Sequence, residues 1–420
     1  MGSGMANEAG WRFRAVVLAS MVAPMVMAGV CGGCRRNESV KDPAAVPTTT
    51  VAARGPLSRP AGVFVRSPNH IDLATPSVRI PIELVTYMPV LSITTGDGIR
   101  RRMILDTGAD SALVTAEMAK ALGATTRPSD RTFSDASGTG PGQGIAAVDA
   151  LDLGPVRFED FDADEAKLYA GVDALLGWPL WRNLLVTIDY PGRTLVLTQG
   201  TLPEPDGKNV LPLKFDHDRL RVLATLEGKE TWLNLDTGWG VGDVVELTDE
   251  TAGRVAWASP AVPTMATDTA QGRAVQKLGR LEGDLVLGRY RFVRPLAGTN
   301  GGLAADIVGA VGLSKFVVTL DLKNMRVRLD RPTDEPIAPE PVFVAGFDCE
   351  LRASPLKVIG MLTGSEAERV GLRVGDLLLT VDGKPGLDGL LAHGGGDFKL
   401  EVERAGERMK MTVPMTKLVP

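Results

Sequence analysis

Histidine, cysteine and aromatic side chains are all sparse in this 420-residue chain. The three histidines, His70, His217 and His393, lie far apart with no HExxH or other paired spacing, which argues against a zinc hydrolase. Of the three cysteines, Cys31 and Cys34 sit near the N-terminus and Cys349 is too remote to join a framework. A mature chain of this kind takes its stability from core packing and not from disulfides. Basic residues are not in excess: 46 Lys and Arg against 51 Asp and Glu leave a net charge of −5. That balance offers no basic face for nucleic acid. Beyond the N-terminus there is no apolar run of about 20 residues, which excludes a polytopic membrane protein. No GxSxG occurs and no histidine lies close to Cys349 in sequence, so serine and cysteine nucleophiles have little support.

What remains is ordinary globular composition, 44% hydrophobic and 23% charged, in a length that suits two to four domains. The 48 glycines and 28 prolines suit many short strands and turns. Arg12 and Arg14 precede an apolar run from Ala15 to Val30, and Arg35 and Arg36 follow it. This is the pattern of an export signal; a buried N-terminal helix is the alternative. Cys31-Gly32-Gly33-Cys34 closes the run. It reads either as a lipobox-like or plain secretory cleavage region, or as a redox CxxC, since no second cysteine pair completes a metal site. The expected location is periplasmic, or membrane-anchored through a lipid on Cys31 or Cys34.

The segmentation expected is a leader over 1–34, a Pro-rich tether over 35–76, lobes over 77–200 and 201–331, a linker over 332–341 and a terminal module over 342–420. The two lobes repeat one another. Ile80-Pro81-Ile82 is echoed by Leu211-Pro212-Leu213, and Met103 to Gly108 by Leu233 to Gly238. Leu153-Gly154 is matched with Leu287-Gly288, Leu175-Leu176-Gly177 with Ala310-Val311-Gly312, and Thr187-Ile188-Asp189 with Thr319-Leu320-Asp321. The landmarks keep their order, so the halves are expected to share one fold and to pack as a pseudo-dimer. Hairpins are predicted around Gly96-Asp97-Gly98 and Glu227–Glu230, and a helix over Ala116–Leu122.

The repeat carries a doubled Asp-Thr-Gly, each at the end of an apolar strand. Two carboxyl groups brought together at a pseudo-twofold axis cannot both ionise easily, so they share a proton. The ionised member can take a proton from water while the protonated member polarises a carbonyl. Glycine permits the tight turn, and the threonine hydroxyl can reach the opposite loop. The plain alternative is a pair of ordinary strand-end turns.

On these motifs, residues 78–330 resemble a two-lobed aspartic protease of the pepsin/retropepsin clan. The resemblance implies a mainly β fold and a catalytic dyad of Asp106 and Asp236. Thr107, Gly108, Thr237 and Gly238 would support the dyad, and Asp110, Ser137 and Gly138 would contact substrate. The flap candidates are Ser134–Gly144 and Ala266–Arg273. Trp239-Gly240 follows the second motif, so lobe 2 is expected to lack a counterpart of Asp110. Ala109 and Trp239 stand where pepsin-like motifs often carry a hydroxyl residue, which implies a milder pH optimum.

Gly364 to Leu372, Val374-Gly375-Asp376 and Val381-Asp382-Gly383 resemble a bacterial PDZ domain, a β-sandwich with short helices. That resemblance implies capture of a peptide or C-terminus; a packing module without a ligand is the alternative. The expectation overall is an exported, monomeric aspartic endopeptidase acting on polypeptides. It would use neither metal nor cofactor and would bind no nucleic acid. Its rival is an inactive peptide-binding protein in which Trp239 fills the cleft.

Overall fold

Strand Arg219–Leu226 shows how local sequence makes this architecture. Leu220, Val222, Ala224 and Leu226 point inward and the intervening residues outward, the period of two that buries one face of a sheet. The computed structural model describes residues 66–419, apart from 130–131, 136–137, 142–143, 169–170, 217–218, 241, 270–271, 302, 351–352 and 394–395. The leader, Cys31, Cys34 and Ser137 lie outside the described residues. Described residues up to Pro339 form one compact unit, and those from Glu340 onward form another.

The first unit is mainly β and consists of two lobes with one topology. In lobe 1, Arg100–Asp106 pairs parallel with Ala174–Gly177, which pairs antiparallel with Ala112–Val114. That strand lies parallel to Val156–Glu165, which is followed antiparallel by Gly144–Asp152 and then Thr125–Arg127. In lobe 2 the corresponding order is Lys229–Asp236, Ile307–Gly309, Val245–Glu246, Leu296–Thr299, Gly272–Leu281 and Trp257–Thr269. Each of the five steps has the same sense in both lobes.

A six-stranded antiparallel sheet joins the lobes. Its order is Ser77–Pro81, Thr194–Thr198, Leu185–Asp189, Val317–Asp321, Arg326–Asp330 and Val210–Asp216. The echoed Ile-Pro-Ile and Leu-Pro-Leu segments occupy corresponding places at its two sides. At its middle, Thr187 lies opposite Thr319, and their hydroxyls hydrogen-bond at 2.9 Å. One continuous hydrophobic core runs through both lobes and this sheet, with Trp181, Tyr190, Phe158, Tyr290 and Phe316 among its largest members.

Two expectations need correction. The stretch read as a tether to residue 76 becomes ordered sooner: His70–Leu73 pairs antiparallel with Val156–Glu165, with Ile71 and Leu73 against the core. The alternating His-Ile-Asp-Leu pattern supplies the half-buried face that proline content obscured. The counterpart of Gly177 is Gly309 and not Gly312. Gly177 lies beside Asp106 in the ladder, and Gly309 beside Asp236. Ile307-Val308-Gly309-Ala310-Val311-Gly312 contains two apolar-apolar-Gly frames, and the downstream one forms the short helix Ala310–Leu313.

The second unit has a six-stranded antiparallel sheet: Phe347–Glu350, Leu356–Met361, Leu377–Val381, Phe398–Arg404 and Glu407–Val413 follow in order, and Lys384–Pro385 also pairs with Leu377–Val381. Val342–Val344 pairs separately with Thr416–Val419. Ser365 caps the helix Glu366–Arg369, accepting from the Glu368 N–H at 3.2 Å. Asp376 accepts from Arg404 through both oxygens, at 2.7 and 2.6 Å, and from the Arg373 N–H at 2.9 Å. Its hydrogen bonds outweigh partial burial and hold the carboxyl below its usual range.

Gly177 gives a direct test of the packing behind the first loop. A Cβ there would lie 2.0 Å from the Ser111 carbonyl oxygen, and backbone cannot yield as a flexible side chain can. Gly177→Ala is expected to destabilise the protein by about 2 kcal/mol or more in urea unfolding, as overpacking does. Gly96→Ala, in open space, is expected to stay within about 0.5 kcal/mol of wild type.

Candidate active site

Asp106 ends a strand whose Met103, Ile104 and Leu105 are buried, and Asp236 ends one whose Leu233, Asn234 and Leu235 are buried. Both strands therefore have fixed ends, and each chain turns at Thr-Gly. In the first turn, the Gly108 and Ala109 N–H groups donate to Asp106 Oδ1 at 2.8 and 3.2 Å. In the second, the Gly238 N–H donates to Asp236 Oδ1 at 2.9 Å.

The threonines cross between lobes. Thr107 Oγ1 donates to the Leu235 carbonyl at 2.6 Å and accepts from the Thr237 N–H at 3.0 Å. Thr237 Oγ1 donates to the Leu105 carbonyl at 2.6 Å and accepts from the Thr107 N–H at 3.0 Å. Both threonines are buried. The glycines are equally constrained. A Cβ on Gly108 would meet Asp236 Oδ2 at 2.3 Å, and one on Gly238 would meet Asp106 Cγ at 2.4 Å. Each carboxyl group packs on the other lobe's glycine, which brings the two side chains within hydrogen-bonding reach.

Burial raises Asp236 well above the ordinary carboxylate range, and the adjacent Asp106 charge raises it further. Burial also raises Asp106, but the Gly108 N–H and a hydrogen bond from Asp236 oppose the shift. Two backbone donors on Asp106 against one on Asp236 make Asp106 the better-solvated anion, which favours a shared proton on Asp236. Arg219 is a smaller influence favouring ionised Asp236, and Asp110 a small one disfavouring ionised Asp106.

Asp106, Thr107, Gly108, Asp236, Thr237 and Gly238 thus come together. Asp110 is exposed just beyond the first turn. Gly138 opposes Asp135 in the hairpin Thr132–Asp135/Gly138–Pro141. In lobe 2, Ala266–Arg273 spans the end of the Trp257–Thr269/Gly272–Leu281 hairpin, the topologically equivalent place. Trp239 does not fill a cleft. It is 3% exposed and turns into lobe 2, where a Cβ on Gly309 would lie 2.8 Å from its Cδ1.

Lobe 2 does have a register counterpart of Asp110. Leu113 opposes Asp164 and Leu175, as Glu246 opposes Gly298 and Ile307. Counting back three residues matches Asp110 with Asp243, which is buried. Three additional residues after Asp-Thr-Gly hid this correspondence from motif matching. Three other contributors carried no sequence signal. Arg219 bears on Asp236, as does the buried Tyr190, whose phenol is raised first by burial and then by that charge. The third is the Thr86–Tyr87 turn, held at φ of 44° and 69°. Its Thr86 carbonyl oxygen would lie 2.7 Å from a Cβ on Gly240.

Residues 91–180 match the family model described as Aspartyl protease. The match covers the Asp106 loop and stops before the second motif, so the pairing of Asp236 rests on geometry. Among solved structures, basic 7S globulin from soybean is similar over 60% of this chain and 94% of its own, at 12% identity and a TM-score of 0.37. No curated protein matches the chain.

Removing the Thr107 hydroxyl while keeping its shape should leave the Thr237 N–H and the Leu235 carbonyl unpaired. Thr107→Val is expected to cost about 2–4 kcal/mol, since each buried unsatisfied group costs about 1–3 kcal/mol. Thr107→Ser, which keeps the hydroxyl, should stay within about 1 kcal/mol of wild type in the same unfolding measurement.

Proposed function

We propose that this protein is an exported aspartic endopeptidase. The observation that carries the reading is the approach of Asp106 and Asp236, held at one depth by four reciprocal threonine hydrogen bonds. A water between the carboxyl groups loses a proton to ionised Asp106 as its oxygen attacks a peptide carbonyl. Protonated Asp236 donates to the carbonyl oxygen, whose developing charge it stabilises. Collapse of the tetrahedral intermediate returns a proton to the leaving amine, and the dyad recovers its single proton. No covalent enzyme intermediate is involved. Asp110, Ser137 and Gly138 would hold the substrate backbone.

The terminal unit would act as a PDZ-type peptide reader. Phe347–Glu350 lies at the end of its sheet order, which suits strand addition by an extended peptide. Gly346 is less suited to carboxylate capture, since it is packed beneath Ser365: a Cβ on it would lie 2.5 Å from the Ser365 Cβ. Backbone pairing along the strand is therefore the recognition we assign. Cys349 is no rival nucleophile, because burial raises its thiol well above the usual range. Export and either periplasmic release or lipid anchoring complete the proposal on the strength of the N-terminal sequence.

Digestion of a peptide library by the mature protein tests the reading. Asp106→Asn and Asp236→Asn should each lower kcat by about 1,000-fold or more while leaving the fold intact, because each removes one half of an acid–base pair. Near-normal cleavage by folded Asp236→Asn would refute the single-chain dyad. Absence of cleavage by wild type across the library would favour a binding protein.

The pH profile follows from the shifts. Activity needs one proton on the pair; it is gained as Asp106 ionises and lost as Asp236 does. Both carboxyls are raised, Asp236 more strongly, so the active window moves towards neutral pH. The expected optimum lies between about 5 and 7, and Ala109→Ser should move the acidic limb downward by supplying another donor to the carboxylate. An optimum near pH 3, or no movement of that limb, would contradict this account.

A further inference from the structure

Lobe 2 contains a second pair of buried carboxyl groups that the reaction above does not use. Asp243 is 1% exposed and Glu246 fully buried. Gln276, on the Gly272–Leu281 strand, donates from Nε2 to Glu246 Oε2 at 2.7 Å. The three side chains converge over Gly298. A Cβ there would lie 1.9 Å from Glu246 Oε2, 2.6 Å from Gln276 Nε2 and 2.9 Å from Asp243 Oδ2.

The cluster lacks the donors that two anions would need. Among the described residues, Oε1 of Glu246 meets no hydrogen-bond donor and the oxygens of Asp243 meet none in close geometry, though the Trp239 indole and the Asp243 and Gly298 N–H groups bear on Asp243 from farther off. Yet the two carboxyls lie within hydrogen-bonding reach of each other. Among the described residues, Asp243 is the charged group that bears on Glu246. Lys277 follows Gln276 with its side chain exposed. The acids on adjoining segments are engaged elsewhere: Asp249 accepts from Thr299, and Asp306 from Thr248 and Thr251. Two acceptor-only anions in a dry interior without a cation are strongly unfavourable, and a proton between them supplies the missing donor.

The cluster also touches the catalytic loop. Trp239 directly follows Gly238, and its buried indole N–H, with no closer partner among the described residues, bears on Asp243. Its ring packs on Gly309, the ladder neighbour of Asp236. We propose that Asp243 and Glu246 share one proton and act as positioning residues. They clamp the loop carrying Asp236 to the hairpin of lobe 2, through Trp239 on one side and Gln276 on the other. Burial raises both carboxyls, and the Asp243 charge helps raise Glu246 well above its ordinary range.

The linkage has a defined sign. The folded pair keeps its proton at pH values where unfolded carboxyls have released theirs. Stability is therefore full below the ordinary carboxyl range and falls as pH rises, until the folded pair itself titrates. The positioning role rests on the protease reading; the proton does not. The test separates them by using Asp106→Asn/Asp236→Asn protein, in which the catalytic dyad is gone. At pH 7 its infrared spectrum should retain a protonated-carboxyl C=O band, and absence of that band overturns the proposal without altering the pair.

In the same background the unfolding constant should rise about tenfold per pH unit through the window where one extra proton is bound by the folded state. Glu246→Gln should remove both the band and that slope. Asp243→Asn should do the same and serves as the second variant if the first does not fold. A slope and band unchanged in a folded amide variant refute the shared proton. In the active enzyme, Glu246→Gln should raise the kcat ratio of pH 8 to pH 6 by about threefold or more, as the clamp no longer ionises. An unchanged ratio, with the slope abolished, would overturn the positioning role and leave only a stabilising one.

Discussion

The reciprocal threonine hydrogen bonds fix the separation of the lobes, and most other features of the site depend on that separation. Each bond joins a side chain in one lobe to backbone in the other, so neither Asp-Thr-Gly loop can shift without breaking contacts in both. With the loops fixed, each glycine lies against the opposite carboxyl group at a distance no Cβ would permit. Electrostatics then follows from sterics: two acids pressed together in a water-poor interior retain a proton they would lose at the surface. One additional backbone donor on Asp106 then helps to make the pair asymmetric.

The same ladder arrangement was put to different uses in the two lobes. At matched positions lobe 1 has exposed Asp110 and apolar Leu113, whereas lobe 2 has the buried acids Asp243 and Glu246. The lobe 2 hairpin is long, from Trp257 to Leu281, and its Gln276 reaches the acidic cluster. Such divergence is tolerated because the shared topology fixes strand ends and leaves the side chains between them free to change.

Much of this was legible in the chain because its information is local and repeated. The apolar runs ending at Asp106 and Asp236, the Gly96-Asp97-Gly98 turn and the Ile-Pro-Ile echo each act through neighbours in sequence. The helix expected over Ala116–Leu122 forms over Ala116–Ala121, capped by Thr115. What was not legible depends on register between distant strands. The choice of Gly309 over Gly312 follows from pairing with Asp236, and the match of Asp243 with Asp110 from pairing with Leu296–Thr299. The inward turn of Trp239 likewise follows from the space left by Gly309, seventy residues away in the chain. His70–Leu73 was obscured by the prolines around it.

The Thr187–Thr319 contact at the centre of the six-stranded sheet bears on how such a chain could arise. A residue on a twofold axis faces its own image, so in a symmetric dimer of single lobes it would have to be compatible with a copy of itself. A lysine or aspartate there would repel its image, and an amide would need one orientation on each side. A hydroxyl is self-complementary, able to donate to and accept from an identical group. A threonine at this point works equally whether its partner belongs to another molecule or to the same chain. Fusion of two lobe-encoding segments would then have required no change at the seam. The halves would have been free to diverge everywhere except along the axis they already shared.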